Sequence, residues 1–453
     1  MRMQREGNFM ETKWADLTPE EKRAKRFEEW LKLPDMEFNS QEAKELYQKR
    51  KKRLADAYRV EIPDRVPVSL PVENFPAYYA GMDYKTVIYD YDALYRAWRK
   101  FLDDFEMDSF SSPGLVMQGR VYDLLDYHGY HWPGHGLSDN ATGYQYNEGE
   151  YMMADEYDAL IKNPSDFWMR TYMPRIFGLF EPLKQLQSLT DIWEAPSLYF
   201  MPFMAPEFKD MLHRLDEIGD ELTKWSQVIG RCTIEAAKAG IPSGMGGSLA
   251  KAPFDILGDT LRGTRGIMMD IIEQPDKLLE AINVLTEITI DNLISAINKT
   301  NGLMAMFVLH KGADGFLSAK QFEKFYWPSL RKLMLALIDE GIIPMLFAEG
   351  SYDTRIETCN EFKKGEVAWL FDKTDMTHAK EVLGDTCCIS GNLPTSLVAT
   401  GTVEEVKDYC HRLIDICAPG GGYILAGGAS IQKGKPENLV AIMEAAKEYG
   451  MYS

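Results

Sequence analysis

Residues 341–392 read GIIPMLFAEGSYDTRIETCNEFKKGEVAWLFDKTDMTHAKEVLGDTCCISGN and contain three short apolar runs, each of which ends in polar residues. The first run ends at Glu349, the second at Asp372 and the third at Asn392. Helical patterns separate the runs, so the stretch predicts parallel strands joined by helical crossovers. Polar groups at the carboxyl ends of parallel strands are typical of α/β enzymes. The chain is therefore predicted to be an enzyme.

Further strand patterns flank this stretch on both sides. Residues 65–72 lead into Glu73 and Asn74, and residues 304–309 lead into His310 and Lys311. Shorter candidates are residues 109–111 and 422–426. A count of approximately eight strands favours a closed α/β fold, the (β/α)8 TIM barrel, over an open sheet.

Two additions to the barrel are predicted. Residues 1–58 are charged and helix-like and are interpreted as an N-terminal helical extension, which leaves residues 59–453 for the barrel. An insertion at about 120–222 combines an aromatic hairpin around Trp132 with a helical segment rich in Phe, Met, Tyr and Trp. Such insertions often serve as lids or binding loops.

The composition excludes several classes of protein. The 453 residues contain 50 Lys and Arg against 69 Asp and Glu, and the formal charge of −19 disfavours nucleic acid and anionic membrane surfaces as partners. The start of the chain lacks the apolar core of a secretory signal, and no segment reaches the roughly 18 to 20 apolar residues of a membrane span, so a cytoplasmic location is expected. The six cysteines show no C-x-x-C spacing and are expected to be reduced. A homodimer remains an open alternative.

The chain contains, among others, the phrases RVPV at 65–68, FEKFYWP at 322–328, GIIP at 341–344, GNLP at 391–394 and KPENL at 435–439. In their order and spacing over roughly residues 60–450, these phrases resemble the uroporphyrinogen decarboxylase superfamily, which also contains the corrinoid-linked methyltransferases. The resemblance implies a (β/α)8 barrel, in agreement with the strand count.

Two branches of that superfamily fit the residues poorly. The decarboxylases carry arginines after the first strand, whereas residues 71–78 contain Glu73 and no arginine, which disfavours an acidic porphyrinogen as substrate. The thiol-methylating branch carries His-x-Cys-Gly and a further cysteine as a zinc site that generates a thiolate. The matching residues 347–350 read FAEG and residues 426–429 read AGGA. A thiol acceptor is therefore disfavoured, although methyl transfer is not.

The candidate site residues are polar groups predicted to face the barrel mouth. Zinc is a candidate cofactor, because carboxylate and imidazole ligands suit a Lewis-acidic metal. Several of these residues have a structural alternative. Asp372 and Asp375 could instead cap a helix. His310 could be a histidine whose ring bonds to a backbone carbonyl, and Cys388 could be a core residue. The predicted catalytic residues are Glu349, His310 and Asp372, the predicted substrate-binding residues are Glu73, Asn74, Lys311, Asp375, Asn392 and Trp132, and the predicted metal ligands are Glu349, His310 and Cys388.

The resemblance and this residue set imply methyl transfer with assistance to the leaving group. Removing a methyl group from an aryl ether expels a phenolate, which a metal or a proton donor must stabilise. The leading hypothesis is a methyltransferase component for O-demethylation, which moves methyl from a small methylated, for example methoxyaromatic, substrate to a corrinoid (cobalamin) on a partner protein. Three alternatives stay open: methyl transfer from methyl-corrinoid to tetrahydrofolate, a uroporphyrinogen decarboxylase-like lyase, and a non-catalytic corrinoid or tetrapyrrole binder.

Overall fold

The computed structural model describes residues 13–188, 194–244 and 247–452. Seven strands form one parallel sheet in the order β1-β10-β9-β8-β7-β6-β5, and three form a small separate sheet in the order β3-β2-β4. The strands are β1 (Val68–Ser69), β2 (Tyr130–Pro133), β3 (Gly136–Leu137), β4 (Gln145–Tyr146), β5 (Gly247–Ala250), β6 (Met304–Leu309), β7 (Ile343–Ala348), β8 (Ala368–Phe371), β9 (Cys388–Leu393) and β10 (Tyr423–Gly427).

The segment around Phe110 occupies the place between β1 and β5 and closes the parallel sheet into a barrel. Phe110 forms a parallel bridge with Ser243, and its backbone N–H donates to the carbonyl oxygen of Pro242 at 2.7 Å. On the other side, Ser109 Oγ donates to Ser69 Oγ at 2.9 Å. With this segment the strands follow one another around the barrel in chain order, as crossover connections require. The predicted (β/α)8 barrel is confirmed.

Successive residues of each barrel strand face the interior and the surrounding helices in turn. The interior residues form one buried cluster and the outward residues belong to a larger core shared with the helices. Interior members include Met304, Ile343, Met345, Leu370, Cys388 and Ile424, and outward members include Phe307, Leu346, Phe371, Ile389 and Leu425.

Long α-helices surround the sheet, and several begin where the sequence supplies a cap. Thr18 forms a capping box with Glu21 at the start of the helix Pro19–Leu31, and Thr402 forms one with Glu405 at the start of the helix Val403–Cys417. Within the described residues, no helix is both long and apolar enough to cross a membrane. The α-helices of eight residues or more are α1 (Pro19–Leu31), α2 (Gln41–Tyr58), α3 (Tyr91–Asp104), α4 (Pro206–Lys238), α5 (Gly263–Glu273), α6 (Pro275–Thr300), α7 (Trp327–Asp339), α8 (Met376–Leu383), α9 (Val403–Cys417) and α10 (Pro436–Tyr449).

The helices α1 and α2 cover the end of the barrel at which the strands begin. Phe27 of α1 and Tyr58 of α2 belong to the interior cluster together with Met304, the first residue of β6. The fully buried Asp108 ties this end together, because its carboxylate pairs with Arg53 at 2.5 Å and with Arg65 at 2.7 Å. The opposite end, where the strands finish, is thereby left for chemistry. The domain boundary proposed at residue 58 stays a prediction.

The insertion between Phe110 and β5 contains the small sheet, several short helices and α4. In the small sheet, Tyr130 of β2 pairs antiparallel with Tyr146 of β4. Tyr146 Oη donates to the backbone oxygen of Asp259 at 2.6 Å. Because Asp259 lies beside the residues that follow β6, this bond places the aromatic hairpin against the mouth of the barrel.

Candidate active site

His310 directly follows β6, and its imidazole ring lies between two carboxylates. Nδ1 is 2.6 Å from Oδ2 of Asp259, and Nε2 is 3.2 Å from Oε2 of Glu349. Glu349 directly follows β7, and the last residues of these neighbouring strands, Leu309 and Ala348, are paired in register. The next residue of each strand therefore emerges at the same level of the mouth. The structure brings together two of the three predicted catalytic residues.

The two carboxylates stabilise the protonated form of His310. Burial alone would lower the pKa of His310, but the hydrogen bonds to Asp259 and Glu349 raise it to about 9. Burial opposes ionisation of Asp259, yet the bond from His310 and the charge of Lys251 lower its pKa to about 2. Near neutral pH the ring is thus an imidazolium that donates from both nitrogens. The Glu349 side chain is 51% exposed, so the Nε2 side of the ring faces an open part of the mouth.

Asp255 holds the backbone that carries His310. One oxygen, Oδ2, accepts the backbone N–H of His310 at 3.1 Å and the hydroxyl of Tyr326 at 2.7 Å. The other oxygen accepts the backbone N–H of Lys311 at 2.9 Å. Burial and the nearby charge of Asp259 raise the pKa of Asp255 to about 6. Asp255 is fully buried and acts on the site as a positioning residue.

Asp255 and Asp259 are functional candidates that the strand-end pattern did not reveal. They lie on a helical segment, residues 252–261, which reads APFDILGDTL and contains the π-helical turn Ile256–Leu261. A spacing of four residues places two side chains on one helix face, and π-helical turns are frequent at functional sites. Two acids four residues apart within an apolar run were the signal that could have identified them.

Two lysines pair with the carboxylate of Asp259. Lys251 Nζ lies 3.1 Å from Oδ2 of Asp259, and Lys311 Nζ lies 3.4 Å from Oδ1. Lys311 also donates to Thr264 Oγ1 at 2.8 Å, and its ammonium lies 4.5 Å from the centre of the Phe316 ring. The predicted substrate-binding residue Lys311 therefore supports the carboxylate that holds His310.

Glu73 and Asn74, at the end of the first barrel strand, form a buried group with Gln432. Gln432 Nε2 donates to Oε2 of Glu73 at 2.6 Å, and Asn74 Nδ2 donates to Oε1 of Gln432 at 2.5 Å. Burial raises the pKa of Glu73. If the Phe110 segment is counted as the second barrel strand, Glu73 and Asn74 follow the first strand, His310 follows the fourth and Glu349 follows the fifth. Glu73 and Asn74 therefore lie across the mouth from the His310 centre.

Tyrosines of the hairpin connect the two sides of the mouth. The rings of Tyr130 and Tyr144 pack with centroids 4.7 Å apart. Burial and the charges of Asp259 and Glu73 raise the pKa of Tyr130, and burial together with charges that include Glu73 and Glu349 raises that of Tyr144. Both rings therefore lie within electrostatic reach of carboxylates on opposite sides of the barrel.

The interior of the barrel below the mouth is apolar and partly open. Leu249 of β5 is paired in register with Met306 of β6, so both face the interior, where Met306 and Phe347 pack on the buried cluster. Leu249 is nevertheless 61% exposed. An eight-stranded barrel has room for side chains or for one small ligand. The site therefore combines an apolar floor with a charged, hydrogen-bonding rim.

Four predicted site residues have local structural roles. Trp132 is fully buried, stacks on His135 with ring centroids 4.0 Å apart, and does not face the mouth. Asp375 caps α8 by accepting the backbone N–H of Thr377 at 2.8 Å, as the helix-cap alternative predicts. The remaining two bind neighbouring loops: Asp372 accepts the backbone N–H of Gly350 at 3.1 Å, and Asn392 donates to the backbone oxygen of Thr374 at 2.8 Å.

The structure does not place Cys388 with His310 and Glu349. Cys388 is the first residue of β9 and is paired with Ala368, three residues below the level at which β7 and β8 end. At about 3.3 Å per residue this separation is about 10 Å. Cys388 is buried among Tyr58 and other cluster residues, and burial raises the pKa of its thiol. The predicted zinc ligand set is not assembled.

The remaining residues do not complete a zinc site. Catalytic zinc is held by three protein ligands plus a water or substrate. Within residues 13–188, 194–244 and 247–452, no group of three or more His, Cys, Asp or Glu side chains is placed to hold a metal ion. Of the predicted ligands, only His310 and Glu349 lie together, and they supply two donors. The donor set therefore fits proton donation better than zinc binding.

A barrel that carries an imidazole and a carboxylate at the ends of neighbouring strands, with buried acids from a helical turn beside them, defines a (β/α)8-barrel enzyme. The family model described as Uroporphyrinogen decarboxylase (URO-D) matches residues 202–449. The chain belongs to this family, as the sequence phrases predicted. None of the curated proteins matches the chain. Among solved structures, a methyltransferase from Methanosarcina mazei is similar in fold, with a TM-score of 0.53 and 13% identity over 89% of this chain and 98% of that one.

Proposed function

We propose that this protein is a methyltransferase that takes a methyl group from a small methoxyaromatic substrate and delivers it to a corrinoid carried by a partner protein. The observation that supports this most directly is His310, whose raised pKa favours a proton on Nε2, 3.2 Å from the half-exposed carboxylate of Glu349 at the mouth. A cation with a transferable proton is suited to protonating a leaving oxygen. The fold similarity to a methyltransferase agrees with the proposal.

The chemistry requires one proton from this chain. The corrinoid would supply the nucleophile for the methyl carbon. When the bond between that carbon and the aryl oxygen breaks, its electron pair stays on oxygen, which takes the proton of His310 Nε2 and leaves as a neutral phenol. The pKa of His310, about 9, lies close to the value of about 10 for a phenol, so this transfer is nearly balanced. Asp259 keeps Nδ1 protonated and stabilises the charge on the ring before transfer.

The charges of the mouth favour methyl transfer over the lyase alternative. Within the described ranges, no arginine pairs with Glu73, Asp259 or Glu349. Asp259 and Glu349 pair with His310 and two lysines, and Glu73 accepts from the neutral Gln432. A porphyrinogen with several carboxylates needs fixed cations around it. A neutral aromatic ether needs none, and the apolar floor at Met306 and Phe347 suits its ring.

The proposal is tested by measuring methyl transfer from methoxyphenols to cob(I)alamin. His310→Gln removes the proton donor and is expected to lower kcat by a factor of about 10² to 10⁴. His378→Gln is the matched control, because His378 also pairs with a carboxylate, Glu357 at 3.0 Å, but lies on helix α8 and has no contact with Asp259 or Glu349 among the described ion pairs. An active His310→Gln enzyme would contradict the proposal. Formation of methyltetrahydrofolate from methyl-corrinoid, or release of carbon dioxide from a carboxylated substrate, would instead favour the alternatives.

A further inference from the structure

The mouth contains a second set of polar atoms, across from His310, that methyl transfer does not use. Glu73 Oε1, Asn74 Oδ1 and Tyr84 Oη have no hydrogen-bond partner among the described residues. Their residues are 7%, 1% and 0% exposed, so water does not satisfy these atoms freely. Buried polar groups are nearly always paired, and each exception calls for an explanation. Three such atoms in neighbouring residues indicate a place for a polar group of a ligand.

The hydrogen bonds of Gln432 determine what the free atoms can do. The carboxylate of Glu73 accepts from Gln432 Nε2, so Gln432 Oε1 is left to accept from Asn74 Nδ2. This chain of bonds orients Asn74 with its amide oxygen free. Glu73 Oε1 and Asn74 Oδ1 are therefore two acceptors that need a donor from outside the protein.

The hydroxyl of Tyr84 requires an acceptor from the ligand, whereas Glu73 and Asn74 require a donor. Burial and the charge of Glu73 raise the pKa of Tyr84, so its hydroxyl is protonated and lies within electrostatic reach of Glu73. That hydroxyl is a donor without an acceptor. A single ligand group that donates to Glu73 or Asn74 and accepts from Tyr84 satisfies the donor and one of the two acceptors. A hydroxyl group does this, whereas an ammonium group cannot accept and an ether oxygen cannot donate.

The position of these atoms determines where the hydroxyl must be on the substrate. Glu73 and Asn74 follow the first barrel position and His310 follows the fourth, on the other side of the mouth. Tyr144 of the hairpin lies within reach of both Glu73 and Glu349. An eight-stranded barrel has room for one small ligand. A ring that places its ether oxygen at His310 therefore extends its far side toward Glu73.

We propose that Glu73, Asn74 and Tyr84 bind a hydroxyl group on the side of the substrate ring opposite the methylated oxygen. This inference rests on the proposed function, because that function places the methylated oxygen of the substrate at His310. Binding of the hydroxyl at Glu73, Asn74 and Tyr84 does not itself require methyl transfer. It assigns the substrate to the class of methoxyphenols with a distant hydroxyl, such as 4-methoxyphenol. A hydroxyl adjacent to the methoxy group would remain beside His310 and would not reach these residues.

Calorimetric titration of the full chain without corrinoid tests the hydroxyl site. The probes are 4-methoxyphenol, 2-methoxyphenol and methoxybenzene. We expect 4-methoxyphenol to bind on the order of tenfold more tightly than the other two, as one hydrogen-bonded hydroxyl allows. Tyr84→Phe and Asn74→Leu should reduce its affinity to that of methoxybenzene and leave methoxybenzene binding unchanged. Tyr84→Phe deletes only an oxygen atom without a partner in the protein, so the fold is retained.

Tyr91→Phe provides the matched control. The hydroxyl of Tyr91 is also buried and without a partner among the described residues, but the nearby charge is that of Glu221 rather than a residue of the mouth. This variant should bind all three probes like the unmodified protein. A loss of 4-methoxyphenol selectivity in Tyr91→Phe would contradict the proposed site.

Each remaining outcome separates this inference from the proposed function. Equal affinity for the three probes, no binding of any probe, or selectivity that survives both mouth substitutions would overturn the hydroxyl site. Selective binding of 4-methoxyphenol without methyl transfer to cob(I)alamin would support the hydroxyl site and contradict the proposed function. Methyl transfer at equal rates from 4-methoxyphenol and methoxybenzene would support the function and overturn the site.

Discussion

Nδ1 of His310 lies 2.6 Å from Oδ2 of Asp259, and this bond leaves Nε2 as the ring nitrogen that faces Glu349 and the mouth. The same bond is the main force that raises the pKa of His310 against the effect of burial. Asp259 thus determines both the orientation and the protonation of the proposed acid.

Asp259→Asn should shift the pH dependence of methyl transfer to lower pH. In the unmodified enzyme the active form is the imidazolium, so activity should fall as pH rises through about 9. Loss of the Asp259 charge moves the pKa of His310 back toward its ordinary value of about 6.5, so the fall should occur earlier. The measurement is kcat/KM from pH 6 to 10. An unchanged midpoint would show that Asp259 does not control this group.

The raised pKa of His310 also predicts a pH-dependent contribution to stability. A group with a higher pKa in the folded state stabilises the fold fully below its unfolded pKa of about 6.5, and this stabilisation is lost as pH rises through about 9. His310 is 35% exposed, so we expect only about 1 kcal/mol after solvent screening. Urea unfolding at pH 6 and pH 10 should show a smaller difference for His310→Gln than for the unmodified protein. Equal differences would contradict the ion pairing described at the mouth.

Tyr326→Phe should weaken the support of the His310 backbone without removing the acid. The Tyr326 hydroxyl donates to buried Asp255 at 2.7 Å, and removal of a hydrogen bond to a buried carboxylate costs about 1 to 3 kcal/mol. We expect a lower free energy of unfolding and a modest decrease in kcat, with the alkaline midpoint of the pH profile retained because Asp259 and Glu349 are intact. A decrease in kcat as large as that of His310→Gln would instead assign Tyr326 a direct role in the chemistry.

Asp108→Asn should reduce stability and leave the chemistry unchanged. Asp108 is fully buried at the end of the barrel away from the mouth and pairs with Arg53 and Arg65. Removing one member of a buried ion pair typically costs about 3 to 5 kcal/mol. Thermal unfolding should occur at a lower temperature, while KM and kcat of the remaining folded enzyme should match the unmodified values. A changed KM would show that this end of the barrel influences the mouth.

The sequence predicted the strand ends well because a buried apolar run and the polar residue after it are both local signals. His310 and Glu349 were found in this way, since each follows a strand and the two strands are neighbours. Asp255 and Asp259 were missed because they come from a helical turn that reaches the mouth only in the folded barrel. Cys388 was predicted as a metal ligand, with a core residue as the alternative. It is a core residue at the start of β9, and strand alternation, which specifies the face of a strand but not the height along it, could not show this.

The most direct test of proton donation by His310 compares substrates with different leaving groups. The ratio of kcat/KM between the unmodified enzyme and His310→Gln is measured for 4-methoxyphenol and for 4-nitromethoxybenzene, whose phenolate is stabilised by the nitro group and needs less help from an acid. We expect a ratio of about 10² or more for 4-methoxyphenol and a much smaller ratio for the nitro compound. Equal ratios for the two substrates would contradict the role of His310 as the proton donor.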